Sequence, residues 1–266
     1  MLSLKYCGIE CQKAHRKQHK RACNKRAAEL RDELLFKQPE TTHLGDCPIC
    51  CVPMSLDPTK SAMNTCCSKI ICIGCVHANK IREDEARLVQ SCPFCRDALP
   101  LTEEEDERKR MKRIEANDPV AMCKKGAKHC LKKEYPCAFG YFVKAAELGD
   151  AEAHYKLSVM YREGDAVDKD EGKSIHHLEE AVIAGHPSAR HDLACHHWNK
   201  NNNAERAVKH LIIAATQGDN RSIKSLMNMF KGGHVSKADL DAALRAHKAA
   251  VDATKSPQRE AAELAG

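Results

Sequence analysis

The stretch GDAEAHYKLSVMYREGDAVDKDEGKSIHHLEEAVIAG, residues 149–185, holds two helical patterns joined by a loop with a glycine in it. Ala153, Leu157 and Tyr161 recur at helical spacing on the first, and Ile175, Leu178 and Val182 on the second. The same pattern flanks it on both sides. Ala145-Ala-Glu-Leu-Gly149, Ala181-Val-Ile-Ala-Gly185 and Ala214-Ala-Thr-Gln-Gly218 align, with glycines 36 and 33 residues apart. Four residues after each glycine stands a small residue (Ala153, Ala189, Ser222), and eight after stands Leu157, Leu193 or Leu226. A period of this size marks stacked helix pairs. Each glycine can end a second helix in the left-handed conformation, and each small residue lets neighbouring helices approach closely. Three units and a degraded fourth, from Ser222 to about Ala253, are expected.

The unit resembles the Sel-one-like repeat, a relative of the tetratricopeptide repeat, through Leu157, Tyr161, Gly164, Val167, Asp168, Lys173 and the closing Ala184-Gly185. The resemblance covers about half the chain. It implies an α-solenoid that binds protein, with the ligand on its concave face.

Upstream of the repeats the chain is rich in cysteine. Twelve of its 16 cysteines lie between residues 7 and 95, and Cys47-Pro-Ile-Cys50, Cys72-Ile-Gly-Cys75 and Cys92-Pro-Phe-Cys95 are three C-x-x-C pairs. Two intervening residues let both thiolates reach one ion at about 2.3 Å. The alternative, disulfide bonding, fits poorly with an opening that is polar and basic almost at once and lacks a secretory pattern. With no run of 18 apolar residues either, the expectation is an intracellular protein, cytoplasmic or nuclear, whose paired cysteines hold zinc. Aromatic residues make up 4% and charged residues 30% of the 266, thin for one large core but suited to metal-stapled modules. The expected class is mostly α: small zinc-stapled modules followed by a solenoid of helix-pair repeats.

The block from Cys47 resembles a RING finger. In that family the first and third ligand pairs share one zinc, and the second and fourth share another. The resemblance implies a first site of Cys47, Cys50, Cys72 and Cys75, and a second containing Cys92 and Cys95. The remaining pair departs from the family pattern, because Cys67 has the expected spacing to Cys72 but Lys69 occupies the histidine position. An ammonium has no lone pair to give a metal. Cys66 is the natural replacement, with Cys51 and His77 as further stand-ins. RING fingers recruit a charged ubiquitin-conjugating enzyme and contain no catalytic residues. Ile49, Pro93 and Arg96 match the positions that touch that enzyme, while Asn79 stands where an aromatic residue is common.

The first residues resemble the second half of a MYND finger, with Cys7, Cys11, His19 and Cys23 at its spacing and Arg16 in place of its tryptophan. The two pairs that precede these in the family are missing. Either the start is truncated or the four residues close on one additional zinc. Residues 1–40 hold ten Lys/Arg against five Asp/Glu, but no aromatic platform accompanies them, so a solvated helix face is expected rather than an RNA site over 13–26.

The expected boundaries are 1–24 for the partial MYND finger, 25–45 for a helical linker and 46–97 for the RING-like finger. A charged, solvated linker helix over 98–117, repeats over 118–256 and a flexible tail over 257–266 follow. The helix in the first linker region should run from Cys23 to Gln38, ended by Pro39, and Thr102 with Glu105 makes a capping box for the second. Cys123, Cys130, Cys137 and Cys195 should be small buried groups, and the adjacent pairs His176-His177 and His196-His197 point to different helix faces. No phosphate loop, G-x-S-x-G elbow or H-E-x-x-H helix is present, and zinc with four protein ligands has no open position for water. Two functions fit: a RING-type ubiquitin ligase whose repeats recruit an unknown protein substrate, or a non-catalytic scaffold with structural zinc. Neither a membrane nor a nucleic acid is an expected partner.

Overall fold

The computed structural model describes residues 16–200 and 203–265, with side chains from Cys23 onward. The chain divides after Gln38 into two units. The first contains helix α1 (Arg16–Leu35). It starts earlier than the apolar spacing indicated, because the preceding Arg, Lys and Gln residues are themselves good helix formers. Lys25 and Arg26 pair with Glu29 along its surface.

The second unit begins with the cysteine-rich finger. Strand β1 (Ser61–Met63) pairs antiparallel with β2 (Ile70–Cys72), opposing Ser61 to Cys72 and Met63 to Ile70. Helix α2 (Ile73–Glu85) follows directly. Met54 and Ile71 are buried among the cysteines, with Leu44, Ile70, Val76 and Leu99 around them. So small a core needs reinforcement, and the cysteine clusters are positioned to supply it.

Helix α3 (Glu103–Glu115) has the expected cap: Thr102 Oγ1 accepts from Glu105 N at 3.2 Å. Its four acidic residues fill the first turn, and Lys112 and Arg113 sit in the last. It is not, however, a solvated linker. Arg110 is buried against Asp106, Lys109 reaches Asp97 of the finger, and Glu107 pairs with Lys125 of the next helix. The charges expected to face solvent serve here as ties in two directions.

From Asp118 the helices pair. Helix α4 (Pro119–Leu131) packs on α5 (Tyr135–Glu147), α6 (Ala151–Glu163) on α7 (Glu171–Ile183), and α8 (Pro187–Asn199) on α9 (Ala204–Thr216). A fourth pair, α10 (Asn220–Lys231) with α11 (Lys237–Ala253), takes the place of the degraded unit. Each inter-pair turn is built the same way. Gly149, Gly185 and Gly218 have φ of 86°, 81° and 89°. Around the first, Gly149 N donates to Ala146 O at 2.8 Å and Asp150 N to Ala145 O at 3.1 Å. These two bonds close the helix C-terminus. The Asp150 side chain then accepts from Ala153 N at 2.7 Å and opens α6. Asp219 repeats this role for α10, and His186 performs it for α8 through Nδ1. Ala153, Ala189 and Ser222 are fully buried, as are Leu157, Leu193 and Leu226. Of the four repeat cysteines, Cys123 is buried and Cys130 and Cys195 half-buried. Cys137 is exposed, because it lies off the face of α5 that Ala138, Phe142 and Ala145 bury.

In place of the flexible tail expected over 257–266, Pro257–Ala265 form helix α12. The helix packs on α2 of the finger. Arg259, a close backbone approach, an ion pair from Lys60 to Glu263 and buried Ala262 hold it, and these contacts have no periodic signature.

Candidate metal centres

Two tetrads of cysteine sulfur form in the finger. Cys47, Cys50, Cys72 and Cys75 make the first, and Cys66, Cys67, Cys92 and Cys95 the second; within each, all sulfurs lie within 4.8 Å of one another. In the first, Cys47–Cys75 and Cys50–Cys72 are 3.9 and 3.8 Å apart. In the second, Cys67–Cys92 and Cys66–Cys95 are 3.8 and 3.3 Å apart. Four thiolates at about 2.3 Å from a tetrahedral ion stand about 3.8 Å from each other. Both tetrads are therefore geometrically suited to zinc, and none of the described cysteines is in a disulfide.

The local backbone explains how the sulfurs converge. Cys47-Pro-Ile-Cys50 and Cys92-Pro-Phe-Cys95 are matching knuckles. Cys51 N donates to Cys47 O and Arg96 N to Cys92 O, both at 2.9 Å. The residue after each pair, Cys51 or Arg96, has a positive φ, of 54° and 64°. Each knuckle is pinned at its base by an isolated bridge, Asp46 to Pro53 and Ser91 to Ala98. Cys72 and Cys75 come from the end of β2 and the first turn of α2. Cys66 and Cys67 lie in the turn of the hairpin, where Ser68 N donates to Asn64 O at 2.8 Å and Ser68 takes φ of 56°. This tight turn lets two adjacent cysteines face the same knuckle. Cys51 and His77 stay outside both tetrads, and the Lys69 ammonium sits 5.8 Å from the Phe94 ring centroid.

Burial pushes the thiols of Cys66, Cys67, Cys72 and Cys75 up, Cys67 to about 11. Burial acts on Cys47 too, but backbone N–H donors of Cys50, Cys72 and Ile49 outweigh it and bring that thiol down to about 7. Collecting four thiolates without a cation is unfavourable, and a positive ion bound between them would offset that cost.

Around the tetrads, Asn79 takes up a structural task in place of an aromatic residue. Its Nδ2 donates to Ser91 O at 3.0 Å, and buried Glu83 accepts from Ser91 N at 3.1 Å. These bonds fix α2 to the second knuckle. Ile49 is 41% exposed at the tip of the first knuckle, Arg96 is exposed on the second, and Pro93 is half-buried between two ligands. Of the N-terminal quartet, Cys7, Cys11 and the His19 side chain lie outside the described residues, and Cys23 is half-buried on α1.

A third cluster has no counterpart in the sequence expectations: His43, Glu152 and His186. His186 Nε2 lies 3.0 Å from Glu152, the His43 and His186 rings stack at 4.1 Å, and His43 N donates to Gly185 O. Because His186 Nδ1 accepts the Ala189 N–H, its Nε2 carries the proton and donates it to the carboxylate. Neither nitrogen then has a lone pair for a metal. The cluster is a clamp joining the segment before the finger to the junction of the second and third repeats. The signal that marks it is His186 standing at a cap position that is aspartate in neighbouring units.

The repeats also frame a groove of about 750 Å³ lined by α6, α7, α8 and α10. Asp192 sits within it, accepting from Tyr155 Oη at 3.2 Å, Arg221 at 3.3 Å and Arg162 at 3.5 Å. Lys169 and Lys200 add charge at the rim.

Fold and clusters together define an α-repeat protein with a two-centre cysteine finger. A family model described as Sel1 repeat matches residues 122–150, 151–186 and 188–219, which are the helix pairs α4–α5, α6–α7 and α8–α9. These residues match the Sel1 repeat, in agreement with the helix-pair array the structure shows. Among solved structures, a Sel1 repeat protein from Oxalobacter formigenes is 25% identical, covering 56% of this chain and 64% of its own, with a TM-score of 0.49. A second, c5321, a protective antigen of uropathogenic Escherichia coli with an SLR fold, is 21% identical over 61% of this chain and 36% of its own, with a TM-score of 0.44. The chain thus spans less than two thirds of either. No curated protein matches it. Among the described residues, no helix is long and apolar enough to cross a membrane.

Proposed function

We propose that this protein is a zinc-dependent ubiquitin ligase of the RING type, in which the finger receives a charged conjugating enzyme and the repeats hold the protein to be modified. The observation that supports this is the interleaving of the two tetrads. Residues 47 and 50 join 72 and 75, while 66 and 67 join 92 and 95, so neither site forms without crossing the other in sequence. That order is what the RING resemblance implies. Such a finger contributes no reacting group. It accelerates isopeptide formation by holding the conjugating enzyme and the acceptor lysine together.

In this assignment zinc holds the two knuckles, and Ile49, Pro93 and Arg96 form the contact surface for the conjugating enzyme. The groove over α6, α7, α8 and α10 takes the substrate, and its arginines and lysines favour an acidic segment. The corresponding domains are 46–97 for the finger and 118–256 for the repeats, with α3 as a braced connector.

The test is autoubiquitination by zinc-loaded protein with a broad panel of conjugating enzymes. Arg96→Ala and Ile49→Ala are each expected to abolish chain formation with zinc content unchanged. A second reading, a scaffold with purely structural zinc, is favoured by the use of Asn79 as a tether to Ser91. Absence of chains with every conjugating enzyme, from protein holding two zincs, establishes the scaffold.

A further inference from the structure

Arg259 of α12 is 5% exposed, yet it pairs with no carboxylate among the described residues. Its guanidinium donates instead to the carbonyls of Pro53 at 2.7 Å, Val52 at 2.9 Å and Thr254 at 2.6 Å, and reaches the Cys50 sulfur at 3.6 Å. A buried cation surrounded by neutral carbonyls is costly unless an anion lies close. Among the described residues, the nearest group able to be one is Cys50, and Cys72 of the same tetrad also interacts with the guanidinium. A tetrathiolate site holding a divalent ion has a net charge of −2, which the guanidinium partly offsets. Donors to a ligand sulfur also fix its orientation.

The fit is close in the backbone as well. A Cβ added to Gly74, which lies between Cys72 and Cys75, would come 2.9 Å from Arg259 N. Only glycine lets α12 lie this near the start of α2. Lys60 and Glu263 add an ion pair at 2.8 Å farther along the helix.

We propose that Arg259 is a positioning residue for the first metal centre, so that α12 is part of the finger and docks fully only when that centre is loaded. The inference rests on the zinc assignment and is independent of ligase activity. It also places the functional end of the finger about 160 residues beyond its last ligand, Cys95.

The test uses the full chain, loaded with zinc. Metal content is measured first; protein that takes up no zinc overturns the zinc assignment itself. With two zincs present, release to a chromogenic chelator is followed for the wild type, Arg259→Ala and Gly74→Ala. One equivalent is expected to leave about 10- to 100-fold faster in both variants, with the other unchanged as an internal control of folding. Gly74→Ala displaces α12 without removing any ligand or the guanidinium. Hydrogen exchange of residues 257–265 is expected to rise once zinc is stripped. Equal release of both equivalents in all three proteins, or exchange over 257–265 indifferent to zinc, overturns the proposal.

Discussion

At Lys69 the chain departs from the pattern its spacing otherwise follows, and a neighbouring thiol takes over the ligand role. Cys66 and Cys67 share the second knuckle with Cys92 and Cys95, while the Lys69 side chain lies near Phe94. Cys66→Ser is therefore expected to reduce zinc from two to one per chain in native mass spectrometry. Cys51→Ser should keep both, since that thiol is exposed and outside the tetrads. Which of Cys66, Cys51 and His77 would act was not decided by spacing alone. Three candidates stood within reach in sequence, and the choice depends on the left-handed turn at Ser68, which no composition or periodicity encodes. The four ligands of the first centre, by contrast, were legible because the C-x-x-C unit specifies its own backbone turn.

At the scale of elements, the repeat turns combine two duties in adjacent residues. Gly218 ends α9 in the left-handed region, and Asp219 closes that end with its N–H while capping α10 with its carboxylate. Gly218→Ala is expected to lower stability by about 1–2 kcal/mol through backbone strain, and Asp219→Ala by about 1 kcal/mol or somewhat more through loss of the cap. Leu193→Ala, which empties a fully buried position, should cost about 2–5 kcal/mol. Urea unfolding midpoints rank the three. These turns and leucines were readable from the 36- and 33-residue period because every unit repeats them. Helix α12 was not, since what holds it (Arg259, Gly74 and the Lys60–Glu263 pair) comes from segments far apart in the chain. The bracing of α3 was hidden for a similar reason: charged residues look alike whether they face water or a partner.

Across the second unit, acid sensitivity follows from the clamp at His43. Burial foremost, with His186 beside it, brings the His43 imidazole down to about 3 from an ordinary 6.5. Between those values the unfolded chain binds a proton that the folded chain refuses, so stability falls as pH drops from about 6.5 toward 3. His191 works in the opposite sense. Burial lowers it, but Asp192 and Cys195 outweigh that and raise it to about 9, so its contribution is present below 6.5 and fades as pH rises. From pH 7 to 5 the His43 effect is expected to lower unfolding free energy by on the order of 1–2 kcal/mol. A shallower pH slope in His43→Asn, measured by urea unfolding, identifies that residue as the source.

A stack of repeats is ordinarily a line with two free ends, and each end can fray without consulting the other. Here the segment before the finger is fastened to the stack by His43, and the helix leaving the stack returns to the finger through Arg259. The contact between residues 50 and 259 spans 209 positions, so the line is drawn into a circuit. A circuit does not come apart from its ends. Loosening either fastening opens a loop of well over a hundred residues, so the array and the finger are expected to fail together rather than repeat by repeat.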